Sequence, residues 1–153
     1  MITIISGGQT GVDRAALDAA MEAGTEVGGW CPSGRKAEDG RIPDTYPLLE
    51  IPDGDYLQRT EKNVTDSDAT LIIYFGSLSG GTAQTLEFCM AHNKPHLLLD
   101  ANRLPESKAA SLIKHFVLRQ GIARLNVAGP RASGEPIAYS YTHKVLYLFL
   151  ADY

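Results

Sequence analysis

Three short stretches set glycine beside hydroxyl, amide and charged side chains: Ser6-Gly7-Gly8-Gln9-Thr10-Gly11-Val12-Asp13-Arg14, Ser79-Gly80-Gly81-Thr82 and Gly129-Pro130-Arg131-Ala132-Ser133-Gly134. Glycine permits tight turns and close approach of backbone to a ligand. A helix that begins directly after such a turn offers unpaired N–H groups, and its aligned peptide dipoles favour an anion there. The chemistry expected is binding of phosphate or another oxyanion. In the first stretch the candidates are Ser6, Gly7, Gly8, Gln9, Thr10, Gly11, Asp13 and Arg14. A strand-to-helix bend that binds nothing would use the same glycines, and Arg14 would serve equally as half of a surface ion pair.

Named phosphate motifs narrow the choice. A dinucleotide fingerprint needs Gly-x-Gly-x-x-Gly and an acidic residue ending the second strand. Here Ser6 replaces the first glycine, and Gly28-Gly29-Trp30 stands where the acid belongs. A P-loop is excluded because no Gly-Lys-Ser/Thr follows. The second turn adds Ser79, Gly80, Gly81 and Thr82, with Thr85 one helical turn on and Glu87 beyond it. Thr82 and Thr85 are helix-surface neighbours at i, i+3. Glu87 is the one candidate catalytic residue, as an acid/base or as an acceptor from a ribose hydroxyl; a solvated helix charge is the plain alternative. Cations come from Arg35 in a long loop, from Arg59 (with Asn63 on the same helix side) and from Arg131 in the third turn. Trp30 and Tyr46 are candidates to stack on a flat ring. The four histidines form no metal pair, so no directly coordinated metal is expected.

These residues need elements to hold them. Thr3–Ile5 reads as a strand, 13–23 as a helix and 26–30 as a short second strand. Residues 31–55, rich in Pro and Gly yet carrying Ile42, Tyr46, Leu48 and Leu49, read as an ordered excursion forming a wall or lid. Residues 56–65 read as a helix with Leu57 and Val64 inward, and 69–75 as a strand buried on both faces. Helices follow over 82–92, with Leu86, Cys89 and Met90 near one face, and over 105–120, with Leu112, Ile113, Phe116 and Val117 inward. Strands are expected at 95–99 and 122–128. A last helix from about 136 carries Ile137, Tyr141, Val145 and Leu148, an apolar arc wide enough to suggest packing against another subunit.

Strands alternating with helices imply an α/β fold: a three-layer, Rossmann-like, doubly wound sheet, mainly parallel, of about five strands. Ligands bind such sheets at the carboxyl ends of strands, where the topology reverses. All three glycine turns follow strands, so they should converge on one edge.

The 153 residues are read as a single ligand-binding domain, 1–153, with net charge -4. That charge disfavours broad nucleic-acid binding. No apolar run suits a membrane span, and a cytoplasmic location is expected. Cys31 and Cys89 lie in unlike contexts and suggest neither a disulfide nor a zinc site.

The blocks Ser6 to Arg14, Gly29-Trp30-Cys31-Pro32 with Gly34-Arg35-Lys36-Ala37-Glu38-Asp39-Gly40, and Arg59-Thr60 with Asn63-Val64 resemble the molybdenum carrier family. So do Ser79 to Thr82 with Thr85, and Leu125 to Arg131. The resemblance implies a branch of the Rossmann-like superfamily that includes the LOG phosphoribohydrolases, whose Pro-Gly-Gly-x-Gly-Thr-x-x-Glu loop holds a nucleotide for N-glycosidic cleavage. Gly80, Gly81 and Glu87 match that loop; Ser79, Ala83 and Gln84 replace its proline, third glycine and threonine. It also implies a ligand, the molybdenum cofactor (molybdopterin), a phosphate-tailed pterin that holds molybdenum through its own dithiolene sulfurs. The function expected is binding of a phosphorylated heterocycle, molybdenum cofactor or a nucleotide, as a carrier. The alternative is a LOG-like nucleotide N-glycosidase using Glu87. A homodimer or higher homo-oligomer is expected.

Overall fold

The computed structural model describes residues 1–153. In chain order the elements are β1 (Thr3–Ile5), α1 (Val12–Glu22), β2 (Glu26–Gly28), β3 (Trp30–Cys31), β4 (Lys36–Ala37), β5 (Gly40–Arg41), β6 (Leu49–Glu50) and α2 (Tyr56–Thr65). They continue with β7 (Ala69–Tyr74), α3 (Gly80–Ala91), β8 (His96–Asp100), α4 (Glu106–Gln120), β9 (Arg124–Ala128) and α5 (Ala138–Ala151). Five strands form one parallel sheet in the order β2-β1-β9-β7-β8. The fold is the expected Rossmann-like α/β arrangement.

Alternation along β7 sorts its side chains between two layers, as the two-residue period of a strand requires. Leu71 and Ile73 join the main core with Ile113 and Val117 of α4 and with Tyr141, Val145 and Phe149 of α5. Ile72 instead packs with Val64 of α2 and Cys89 of α3. Burying each such aliphatic side chain contributes ~1.5–3 kcal/mol, and this two-sided burial makes β7 an interior strand. No helix is long and apolar enough to cross a membrane.

The excursion from 31 to 55 is ordered. β3 pairs in parallel with β6, and β4 pairs antiparallel with β5. Cys31, Ala37, Ile42 and Leu48 build a small core with Leu17 of α1. Asp55 then caps α2 through a reciprocal pair with Gln58, each side chain accepting from the other's backbone N–H at 2.9 Å.

Several expectations need correction. The strand expected over 26–30 is broken at Gly29, whose φ of 136° no L-residue adopts readily and whose missing side chain leaves room for Ser6 O. Beyond it the chain leaves the main sheet for β3. Leu57, Met90 and Leu112 are exposed rather than inward. On α2 the buried side is built from Arg59, Asn63 and Val64 instead, so the polar side chains, not Leu57, face the interior. On α5, Tyr141, Val145 and Phe149 are buried within the chain while Tyr147, and Ile137 just before the helix, stay exposed.

Candidate functional site

β9 returns from α4 to lie between β1 and β7, and this reversal opens a crevice at the strands' carboxyl ends. The cavity there is about 420 Å³, within the range of small-molecule sites. All three glycine turns reach it: Gly7 and Gln9 from the first, Ser79 to Thr82 from the second, and Gly129 to Gly134 except Ala132 from the third. Asp13, Arg59, Asn63, Thr85 and Arg131 also line it.

The second turn leaves the freest donors. Ala83 N–H is the first in α3 to be bonded, to Ser79 O at 3.2 Å. The N–H groups of Gly80, Gly81 and Thr82 therefore have no protein acceptor, and Ser79 makes no side-chain cap. This is the arrangement in which a helix N-terminus receives an anion. Thr85 Oγ1 donates to Gly81 O at 2.9 Å and stiffens the turn. A side chain at Gly81 would meet nothing within 4 Å, so the space over this turn is open.

Arg59, 7 % exposed, projects from α2 and donates from Nη1 to Gly7 O at 2.7 Å. Its guanidinium and that of Arg131 each lie 5.6 Å from the Tyr56 ring centroid, so one aromatic face system steadies two cations beside the cavity. Asn63 lines the cavity but is tied to β3, accepting from Trp30 N at 2.8 Å and donating to Trp30 O at 3.0 Å.

The first turn behaves differently from the expectation. Most of its N–H groups are bonded within the protein: Gly8 N to Ser6 Oγ, Gln9 N to Asp13 Oδ2, Thr10 N to Gln9 Oε1 and Val12 N to Pro130 O. Gly7, Gln9 and Asp13 line the cavity, whereas Ser6, Gly8, Thr10, Gly11 and Arg14 do not. Those five hold the turn. Ser6 Oγ donates to Asp13 O at 2.9 Å. A Cβ on Gly11 would fall 2.5 Å from Pro130 O. Arg14 donates to Gly8 O at 3.0 Å and pairs with Asp39 at 3.1 Å.

Thr10 belongs to a lattice centred on Glu38. Its hydroxyl donates to Glu38 and accepts from Ala132 N at 3.1 Å. Ser133 donates to the same carboxylate from N at 3.1 Å and from Oγ at 2.5 Å. These bonds hold the Glu38 carboxyl below its usual range and join the excursion to the first and third turns.

Four further candidates lie outside the cavity: Arg35, Trp30, Glu87 and Tyr46, whose hydroxyl donates to Asp18 Oδ1 at 2.6 Å. Arg35 is 7 % exposed and donates to the carbonyls of Ile42, Leu48, Pro43 and Tyr46 at 2.7–3.2 Å; its charge organises the excursion and is not offered to a ligand. Trp30 donates from Nε1 to Asp66 at 2.7 Å, beneath the Lys62 ammonium. Glu87 is exposed on α3, away from the lining. The aromatic residues that do line the cavity are Tyr74 and Phe75, together with the polar Asn126 and Glu135. Tyr74, Phe75 and Glu135 lie at or beyond the carboxyl ends of β7 and β9, so the strand-end rule that pointed to the glycines would have found them too; Asn126 lies within β9.

Asp13 carries the most perturbed carboxyl of the site. Burial pushes it up to about 6, against the opposing pull of Arg59, the Gln9 N–H, Arg14 and Arg131. No three His, Cys, Asp or Glu side chains converge as a metal site.

Residues 4–150 match the circularly permutated YpsA SLOG family, and the chain belongs to it. No curated protein matches the chain. Among solved structures, the "Putative molybdenum carrier protein" of Syntrophus aciditrophicus SB is 51 % identical, with a TM-score of 0.95 over 98 % of this chain and 95 % of that one.

Proposed function

We propose that this member of the circularly permutated YpsA family is a cytoplasmic carrier that binds a phosphorylated heterocycle, molybdenum cofactor or a nucleotide, by its phosphate. One observation carries the reading: the three free N–H groups of Gly80, Gly81 and Thr82 share a cavity with Arg59 and Arg131. Backbone donors at a helix start and guanidinium groups are complementary to a phosphate. The name of the Syntrophus protein, a molybdenum carrier, supports the choice of cargo.

The residues fit that cofactor in two respects. Its phosphate tail suits the α3 donors, and the remaining space, walled by Tyr74 and Phe75, suits an aromatic ring. The metal would travel on the cofactor's own sulfurs, so the chain needs to supply orientation and shielding. The reading includes a single domain and a homo-oligomer, with Ile137 at the start of α5 and Tyr139 and Tyr147 within it exposed and available to a second copy.

Mass spectrometry of the natively purified protein tests the cargo directly; the expected result is a copurifying phosphorylated pterin or nucleotide. Calorimetry with a nucleoside monophosphate tests the seat. Gly81→Val projects into open space and is expected to weaken binding roughly tenfold or more while the fold persists. Unchanged affinity in folded Gly81→Val overturns the reading. So does release of free base from the nucleotide that vanishes in Glu87→Gln.

A further inference from the structure

A cavity built to receive an anion gains nothing from an ionised carboxylate in its wall, yet Asp13 is there. It is 8 % exposed and lines the cavity. Its Oδ2 accepts one long hydrogen bond, from Gln9 N at 3.3 Å. No group donates to Oδ1, and no Lys, Arg or His lies within ion-pairing distance. Beside it, Gln9 is 6 % exposed and held by its amide oxygen, which accepts from Thr10 N at 3.0 Å and Glu38 N at 2.9 Å. That leaves Gln9 Nε2 buried with no acceptor. Buried polar atoms are nearly always satisfied, and exceptions call for an account. The first turn thus presents an idle acceptor and an idle donor together.

We propose that Asp13 and Gln9 make the cavity selective for oxyanions that carry a proton: the ligand's phosphate shares one proton with Asp13 Oδ1 and accepts from Gln9 Nε2. The inference rests on the phosphate reading and adds a selection rule to it. Hydrogen phosphate retains a proton at neutral pH, and a phosphate ester takes one up near pH 6. Sulfate and molybdate carry none there. For these the same carboxylate offers only like-charge repulsion, so Asp13 rejects them while accepting phosphate.

The electrostatic surroundings suit a shared proton. Asp13 titrates at about 6, close to the second ionisation of a phosphate ester. Arg59 from α2, Arg14 from α1 and Arg131 from the third turn act on it. The other titratable groups of the lining are Tyr74 and Glu135. One proton between two acidic groups of matched affinity forms a short, charge-assisted hydrogen bond. Free molybdate is then not the cargo, and molybdenum enters the cavity only as part of a phosphorylated ligand.

Calorimetric titration of the whole protein with inorganic phosphate, AMP, sodium sulfate and sodium molybdate, at pH 7 and pH 5, tests this. At pH 7, phosphate or AMP is expected to bind roughly tenfold or more tightly than sulfate and molybdate, because a site built around one proton position rejects analogues that lack it. The phosphate and AMP arms identify whether the free ion or the ester fills the seat. Asp13→Asn, which keeps an acceptor for Gln9 N–H, is expected to admit sulfate and collapse the preference. At pH 5, where Asp13 is itself protonated, the wild-type preference is expected to narrow. Should Asp13→Asn not fold, the wild-type comparison at the two pH values decides alone. Sulfate or molybdate binding as tightly as phosphate at pH 7 overturns the proposal, as does a preference unchanged by both pH and substitution. Absence of binding by all four ions overturns the phosphate reading itself.

Discussion

Arg59 crosses from α2 to the first glycine turn, gives an N–H to Gly7 O at 2.7 Å, and fills the volume that a side chain at residue 7 would need. A Cβ there would stand 2.7 Å from Arg59 Cδ. Gly7→Ala is therefore expected to push the guanidinium out of the cavity wall. Losing the charge-assisted contact between that guanidinium and a bound phosphate costs about 1.5–3 kcal/mol, so phosphate affinity should fall about tenfold or more. Calorimetry alongside circular dichroism checks this; full affinity in Gly7→Ala would show that Arg59 does not contribute to the seat.

Arg35 makes a different prediction although it is the same residue type. Its guanidinium satisfies four carbonyls of the excursion, a planar fork that lysine cannot reproduce. Arg35→Lys should lower stability by about 2–4 kcal/mol, measured by urea denaturation. The protein that remains folded should bind phosphate nearly as the parent does.

Asp13 links stability to pH. Its folded pKa, about 6, lies above the 3.8 of an unperturbed aspartate. The folded state therefore binds the proton more tightly than the unfolded state. Its favourable contribution is complete below the unfolded pKa and is lost as pH rises through the folded one. Asp13→Asn should accordingly raise Tm at pH 7, by an amount of order 1–3 kcal/mol in stability, and change it little at pH 4. Equal Tm shifts at both pH values would contradict this account.

Glu38 carries the opposite sign. Hydrogen bonds from Ser133 and Thr10 depress its pKa, so its contribution is present above the unfolded value and fades as pH falls through the folded one. Glu38→Ala should release residues 131–135 and speed their amide exchange, with β7 and β9 still protected. Unchanged exchange at Ala132 and Ser133 would show that the lattice does not hold the third turn.

The sheet was legible because its signal is redundant. Residues 69–75 form an apolar run interrupted only by Thr70, and α2 spans the same 56–65 that its sequence implies. The site was legible as a place, because glycine turns after strands converge wherever strands are parallel. The division of labour inside it was not. Arg14, Arg35 and Arg59 look alike in sequence, yet Asp39 neutralises the first, backbone carbonyls absorb the second and only the third lines the cavity. Which partner a guanidinium finds depends on contacts many residues away, as for Arg59 and Gly7. The same limit hid the satisfied N–H groups of the first turn, whose acceptors include Pro130 O on the far side of the chain.

The position of β9 has a consequence in time. It lies between β1 and β7, but it is the last of the sheet's five strands to be synthesised. Until residue 128 has emerged, the chain holds two separate ribbons, each with an open edge able to pair with other chains. Neither ribbon contains a complete cavity, since Arg131 and Ser133 have yet to arrive. Joining the two ribbons waits for β9, so the strand that completes the sheet also completes the binding site.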